Sequence, residues 1–166
     1  LILAPFLITS LSYLLVKYEV NIFALYHLLM RKIEHIGIAV NSLANSVPLF
    51  EKLLGIPCYK TESVEGERVN TAFFRTGENK IELLESMDPD GVIARFIEKK
   101  GEGIHHIAFD VEDIEAEMKR LKAEGFVLLN ETPKQGADNK IVCFLHPKHT
   151  NGVLIELCST NGANGL

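Results

Sequence analysis

His35-Ile36-Gly37-Ile38-Ala39-Val40 and His106-Ile107-Ala108-Phe109-Asp110-Val111 are two versions of one hexapeptide: His, aliphatic, small, apolar, small or polar, valine. A second pair of stretches, Lys80-Ile81-Glu82-Leu83-Leu84 and Leu154-Ile155-Glu156-Leu157-Cys158, sets a Glu between aliphatics each time. Glu82 follows His35 by 47 positions and Glu156 follows His106 by 50. Two markers in one order at nearly one spacing read as an internal duplication.

The segments between the markers agree with that. Each His strand precedes a helix. In the first half Ser46 is the expected N-cap, Pro48 falls in the first turn, and Phe50, Leu53 and Leu54 give an apolar face that Gly55 ends. In the second half Asp113 caps a helix whose Ile114, Met118 and Leu121 fall on one side, and Gly125 closes it. Short extended runs follow, at 58–62, 69–75 and 80–85 in the first half and at 127–131, 141–146 and 153–157 in the second, with turn residues between them. A third helix, about 92–100, bridges the halves, with Asp90 as its cap and Gly101 and Gly103 after it. The unit is β-α-β-β-β, twice, in an α+β chain.

Strand alternation then sorts the side chains. His35, Gly37 and Ala39 share a face, as do His106, Ala108 and Asp110, while the bulky residues between them point to the helices. Small neighbours leave space beside each His. On this alternation His105 points away from His106. A carboxylate in mid-strand among aliphatics is costly to bury unless it is paired or bound to a metal. Alone, each of the four residues reads as an ordinary strand residue. As a duplicated set, two His and two Glu suit a divalent cation of borderline or hard character.

Three stretches carry a resemblance: residues 33–40, residues 103–111, and Phe144-Leu145-His146-Pro147-Lys148 leading to Gly152-Val153-Leu154-Ile155-Glu156-Leu157. Together they resemble the methylmalonyl-CoA epimerases of the vicinal oxygen chelate superfamily, also called the glyoxalase fold, over residues 30–160. The resemblance implies two tandem βαβββ modules in a cupped mixed sheet around one metal ion. It implies His35, Glu82, His106 and Glu156 as ligands, with Co²⁺ or Mn²⁺ in first place and Zn²⁺ or Ni²⁺ also compatible. It implies methylmalonyl-CoA as substrate, in propionate metabolism, with the 2R and 2S forms interconverted through a metal-stabilised thioester enolate. Glu156 is then a proton-transfer residue as well as a ligand. The second is open. Thr71 stands where some relatives carry Glu, and Thr is a poor base; Glu82 in a double role, or water, is the expected substitute, and Glu65 and Glu67 are expected outside the pocket in a polar turn. Relatives of this kind are often homodimers.

Rival readings remain at this point. A glyoxalase-type isomerase acting on a thiol hemithioacetal would use the same ligands. A ring-cleaving dioxygenase would show two His and one Glu, so Glu82 speaks against it. A metal-free binding module of the same fold is the alternative from another class.

Composition sets the outer limits. The chain has 166 residues, with 17 Lys and Arg against 22 Asp and Glu, a net charge of −5 that argues against nucleic acid as a partner. Cys58, Cys143 and Cys158 match no zinc or disulfide spacing and read as reduced thiols of a cytoplasmic protein. Lys134, Lys140 and Lys148 are candidates for steering CoA phosphates or are plain surface lysines. His146 and His149 are expected in a loop, for surface or substrate contact.

Residues 1–29 stand apart. They carry only Lys17 and Glu19 as charges, and Pro5 interrupts the apolar run. The uncharged stretch is shorter than the ~20 residues a membrane helix needs, and it lacks the basic start of a secretory signal. The expectation is that Met30 is the native start and residues 1–29 an apolar leader, either not native or disordered, a membrane anchor and an extra helix being the alternatives. Residues 30–160 are then one domain, with module 1 at about 32–88, a linker helix at about 90–101, module 2 at about 103–160, and 161–166 a tail.

Overall fold

The computed structural model describes residue 30 and residues 32–160. The expected leader (1–29) and tail (161–166) lie outside the described residues. In chain order the elements are β1 (Lys32–Ala39), α1 (Leu43–Leu54), β2 (Lys60–Val64), β3 (Val69–Thr76), β4 (Asn79–Ser86), α2 (Val92–Lys100), β5 (Gly103–Asp110), α3 (Ile114–Ala123), β6 (Lys134–Gln135), β7 (Lys140–Leu145) and β8 (Leu154–Thr160), with a 3₁₀ turn at Pro147–His149. No helix among the described residues is long and apolar enough to cross a membrane.

The eight strands form one mixed sheet in the order β2-β3-β4-β1-β5-β8-β7-β6. That order is the duplication made visible. β1 pairs parallel with β4, and β5 pairs parallel with β8. β1 and β5, the two His strands, pair antiparallel at the centre. The cupped sheet expected from the resemblance is therefore present. The parallel pairings bring each Glu strand beside the His strand of its own half: Gly37 is opposite Glu82, and Ala108 is opposite Glu156.

Helices cover the outer face of the sheet. α1 packs Leu43, Val47, Phe50 and Leu54 against Ala72, Phe74 and Leu83. α3 packs Ile114, Met118 and Leu121 against Cys143, Leu145 and Leu157. Burying such faces supplies the main driving force, at about 25 cal/mol per Å² of apolar surface. α2 lays Ile93 against Ala39, Val69 and Leu84 at the rim of the inner face.

Four local expectations are corrected. The N-cap of α2 is Gly91, not the expected Asp90, and no side chain caps it. α1 begins a turn earlier than Ser46, at Leu43 after Ser42, so Pro48 lies inside the helix. The Ser42 side chain makes no capping bond; the Glu85 carboxylate of β4 accepts from the Leu43 N–H at 2.9 Å instead. That cap comes from a different element, which is why local sequence pointed to Ser46. The second strand is displaced to Lys60–Val64 from the expected 58–62. The run 127–131 is not a strand. Leu128 makes one bridge to Leu145, and the edge strand forms later, at Lys134–Gln135, past Pro133, which has no N–H to give a ladder.

Candidate metal centre and its cavity

The inner face of the sheet forms a cavity lined by residues from both halves of the chain. His35, Glu82, His106 and Glu156 all point into it, and each is buried. His35 Nε2 is 2.9 Å from His106 Nε2 and 3.1 Å from Glu82 Oε2. His106 Nε2 is 3.6 Å from Glu82 Oε2 and 3.3 Å from Glu156 Oε2. Glu156 Oε2 stands 3.9 Å from His35 Nε2. At metal–ligand bonds of roughly 2.1 Å, adjacent ligand atoms of an octahedral ion stand about 3 Å apart. His35, Glu82 and His106 form the tight trio, and Glu156 sits a little further out. The donor set, its burial and its convergence fit a divalent cation.

Gly37 is part of that fit. A Cβ built there would come 2.2 Å from His106 Cε1, so only glycine lets the His106 ring lie across β1.

Electrostatics explains why the four groups sit together. Burial opposes charge on His35, but the carboxylates of Glu82, Glu34 and Glu156 outweigh it and raise its pKa to about 10. Burial, with His35 and His105 adding to it, drives His106 well below its usual value. Burial pushes Glu156 up to about 8, against the pull of His35 and with help from Glu82 and Glu34. His35 and Glu156 thus hold protons that a cation would replace.

Two irregularities in the β1–β5 ladder add residues that strict alternation sends outward. The register jumps between Ile33 and His35, and again between Gly37 and Ile38, where β5 passes from His106 to Ile104. Glu34 and His105 are the extra residues, and both line the cavity beside the His that follows. A bulge turns two successive side chains to one side. The expectation that His105 points away from His106 is therefore wrong. His105 Nδ1 lies 3.0 Å from His106 Nδ1, its ring meets Phe96 edge to face, and burial together with nearby Lys100 lowers it to about 4.

Glu34 holds His35 from behind. Its Oε2 is 2.7 Å from His35 Nδ1, which leaves Nε2 for the cavity centre. Its Oε1 is 2.6 Å from the buried ammonium of Lys80. Burial would raise Glu34, yet the bonds from His35 and Lys80 bring it down to about 2. Lys80 also donates to Asp138 at 2.8 Å, and Asp138 accepts from Lys60 and Tyr59 as well. A second cluster of potential ligands, Glu34, His35 and Cys158, shares His35 with the first. It does not compete. Lys80 occupies Glu34, and burial pushes the Cys158 thiol up, its S–H donating to the Phe109 carbonyl.

Sequence reasoning passed over Glu34, Lys80 and Asp138. Lys80 had a legible signal, being two residues before Glu82 on the same strand face. Glu34 and Asp138 had none, since one depends on a bulge and the other on a loop crossing from the second half. Thr71 is buried in the cavity wall, its hydroxyl donating to the Glu62 carbonyl at 3.1 Å. Glu65 turns outward to Arg68, but Glu67 lines the cavity, contrary to expectation. Lys134, on the edge strand β6, is partly exposed and pairs with Glu67, while Lys140 lines the cavity and donates to Thr160. Lys148 is exposed in the 3₁₀ turn, where His146 and His149 also sit, away from the cavity.

Residues 34–144 match the family described as the glyoxalase/bleomycin resistance protein/dioxygenase superfamily. The chain is 41% identical over 133 residues to uncharacterized protein YqjC of Bacillus subtilis, covering 80% of this chain and 95% of that one. It is 40% identical over 128 residues to the ethylmalonyl-CoA/methylmalonyl-CoA epimerase of Cereibacter sphaeroides, covering 76% and 96%. Among solved structures, a Streptomyces coelicolor methylmalonyl-CoA epimerase variant in complex with 2-nitronate-propionyl-CoA superposes with a TM-score of 0.78. It is 30% identical, and the match covers 83% of this chain and all of that one.

Proposed function

The chain belongs to the glyoxalase/bleomycin resistance protein/dioxygenase superfamily, and we propose that within it the protein interconverts the 2R and 2S forms of methylmalonyl-CoA with a divalent cation held by His35, Glu82, His106 and Glu156. The observation that carries this reading is the convergence of two imidazoles and two carboxylates, one pair from each half, on one buried point. Similarity to epimerases across nearly the full length of the Cereibacter protein supports the substrate.

A divalent cation at that point supplies Lewis-acid stabilisation of the negative charge that develops on the thioester oxygen. The remaining steps fall to the protein. His35, oriented by Glu34, and His106, seated over Gly37, fix where the substrate's oxygens converge. Glu156, the outermost of the four, takes the α-proton as a general base. Phe73, Val142 and Phe144 line the space around the reacting carbon and keep water from it. Co²⁺ or Mn²⁺ is the expected ion. Residues 30–160 act as one domain, and the protein works as a cytoplasmic homodimer in propionate metabolism.

The test is interconversion of pure methylmalonyl-CoA epimers by the full chain with and without added Co²⁺. Metal-dependent racemisation that Glu156→Gln abolishes supports the reading. Full metal occupancy without racemisation overturns the substrate and turns attention to thiol hemithioacetals.

A further inference from the structure

Inversion at a planar enolate needs a group that removes a proton from one face and another that returns one to the opposite face. Glu156 approaches from β8, in the second half of the chain. The facing wall belongs to the first half, where β3 and the turn before it present Val64, Glu67, Val69, Thr71 and Phe73 to the cavity. Three of these carry no exchangeable side-chain proton. Thr71 does, but a Thr hydroxyl does not ionise near neutral pH, and this one is 1% exposed and bound to the Glu62 carbonyl. Glu67 is the one carboxylate on that wall among the described residues.

Its inward placement is built into the turn. The Glu67 N–H bonds the Val64 carbonyl at 3.1 Å and the Arg68 N–H bonds the Glu65 carbonyl at 3.2 Å. Arg68 takes a left-handed φ of 55°, and its guanidinium swings outward to Asp88, at 2.8 and 2.9 Å, and to Glu65. Glu65 and Arg68 thereby leave the cavity side to Glu67. Across the gap between the edges of the cup, Glu67 Oε1 lies 2.5 Å from Lys134 Nζ. That ammonium stands 5.4 Å from the centre of the Phe144 ring, which is itself 5.9 Å from the His106 ring and opposite Glu156 in the β7–β8 register. A continuous path of contacts thus runs from Glu67 to the candidate ligands. Of the other carboxylates lining the cavity, Glu82 sits in the tight trio with His35 and His106, and Glu34 and Asp138 are tied to Lys80.

We propose that Glu67 is the second proton-transfer residue, working on the face of the enolate opposite Glu156; this rests on the epimerase reading above. In one direction the Glu156 carboxylate takes the α-proton as the C–H bond breaks, and the Glu67 carboxyl gives its proton to the same carbon from the other face. The enzyme is left with Glu156 protonated and Glu67 ionised, the form that serves the opposite epimer. Glu67 is 32% exposed, so exchange with water restores either form.

The experiment uses the full chain with Co²⁺, each epimer of methylmalonyl-CoA separately, and D₂O, scoring α-deuteration and inversion independently. Glu67→Gln is expected to slow inversion by about 100-fold or more. α-Deuteration of the one epimer whose proton faces Glu156 should stay within about tenfold of the wild type, since that removal step is intact. Glu67→Asp should retain part of the inversion, and Glu65→Gln, a neighbour facing solvent, all of it. Inversion by Glu67→Gln at the wild-type rate overturns the proposal. So does equal loss of deuteration from both epimers with metal content and circular dichroism unchanged, which would mark Glu67 as a binding residue. A wild type that neither deuterates nor inverts defeats the epimerase reading itself, and this inference with it.

Discussion

The Nε2 atoms of His35 and His106 stand 2.9 Å apart across 71 residues of sequence. Two ring nitrogens at that distance share one proton or share one cation. The β1–β5 pairing sets the separation, Gly37 makes room for it, and the flanking Glu82 and Glu156 carboxylates supply the negative charge that favours a positive occupant.

Proton and metal therefore compete for the site. His35, held near 10 by its carboxylate neighbours, carries a proton at neutral pH that a cation must displace. Glu156, raised to about 8, carries a second. Co²⁺ affinity is expected to rise with pH between about 6 and 10, with about two protons released per ion at neutral pH, as calorimetry in buffers of different ionisation enthalpy would read. The same shift carries a stability sign. A raised histidine stabilises the metal-free fold fully below pH ~6.5, and that contribution is lost as pH rises through about 10. Glu156, raised to about 8, acts in the same direction. The metal-free protein should lose thermal stability from pH 7 to 10 while the Co²⁺-loaded protein loses less. A flat metal-free profile would contradict this.

Lys80→Met should be among the more damaging single changes. It removes the closest ammonium from the buried Glu34 carboxylate, leaving it His35 and, at 3.7 Å, Lys140, and it releases Asp138 from β4. Breaking one side of a buried pair costs on the order of 3 kcal/mol, and a freed Glu34 orients His35 less well, which should weaken metal binding about tenfold or more. Denaturant melts and metal titrations measure the two separately; an unchanged metal affinity would show that Glu34 needs no help from Lys80.

Gly37→Ala tests the seat of His106. The added methyl meets the imidazole at 2.2 Å in the centre of the sheet, so the ring must move. Metal affinity should fall about tenfold or more while the circular dichroism spectrum is kept. Affinity equal to the wild type would mean that the ring has a second productive position.

Much of this was legible along the chain because a duplication writes its markers twice. His35 with His106 and Glu82 with Glu156 could be matched by type and spacing, strand alternation put each His on a face lined by small residues, and each Glu stood among aliphatics where burial calls for a partner. Helices that start from their own side chains were also readable. Asp113 caps α3 through the Ala116 N–H at 2.9 Å, as expected. α1 was not, because the carboxylate that meets its first turn is Glu85, on another strand.

What the sequence by itself determined is the repeated β-α-β-β-β order and the four residues that alternation sends inward, since both follow from local periodicity. Tertiary structure decided the rest. The two bulges that turn Glu34 and His105 into the cavity exist only where β1 meets β5, and the contacts of Lys80 with Asp138 and of Glu67 with Lys134 join opposite halves of the cup. Ladder register and the closure of a curved sheet depend on pairings between distant strands, and no periodicity within either strand encodes them.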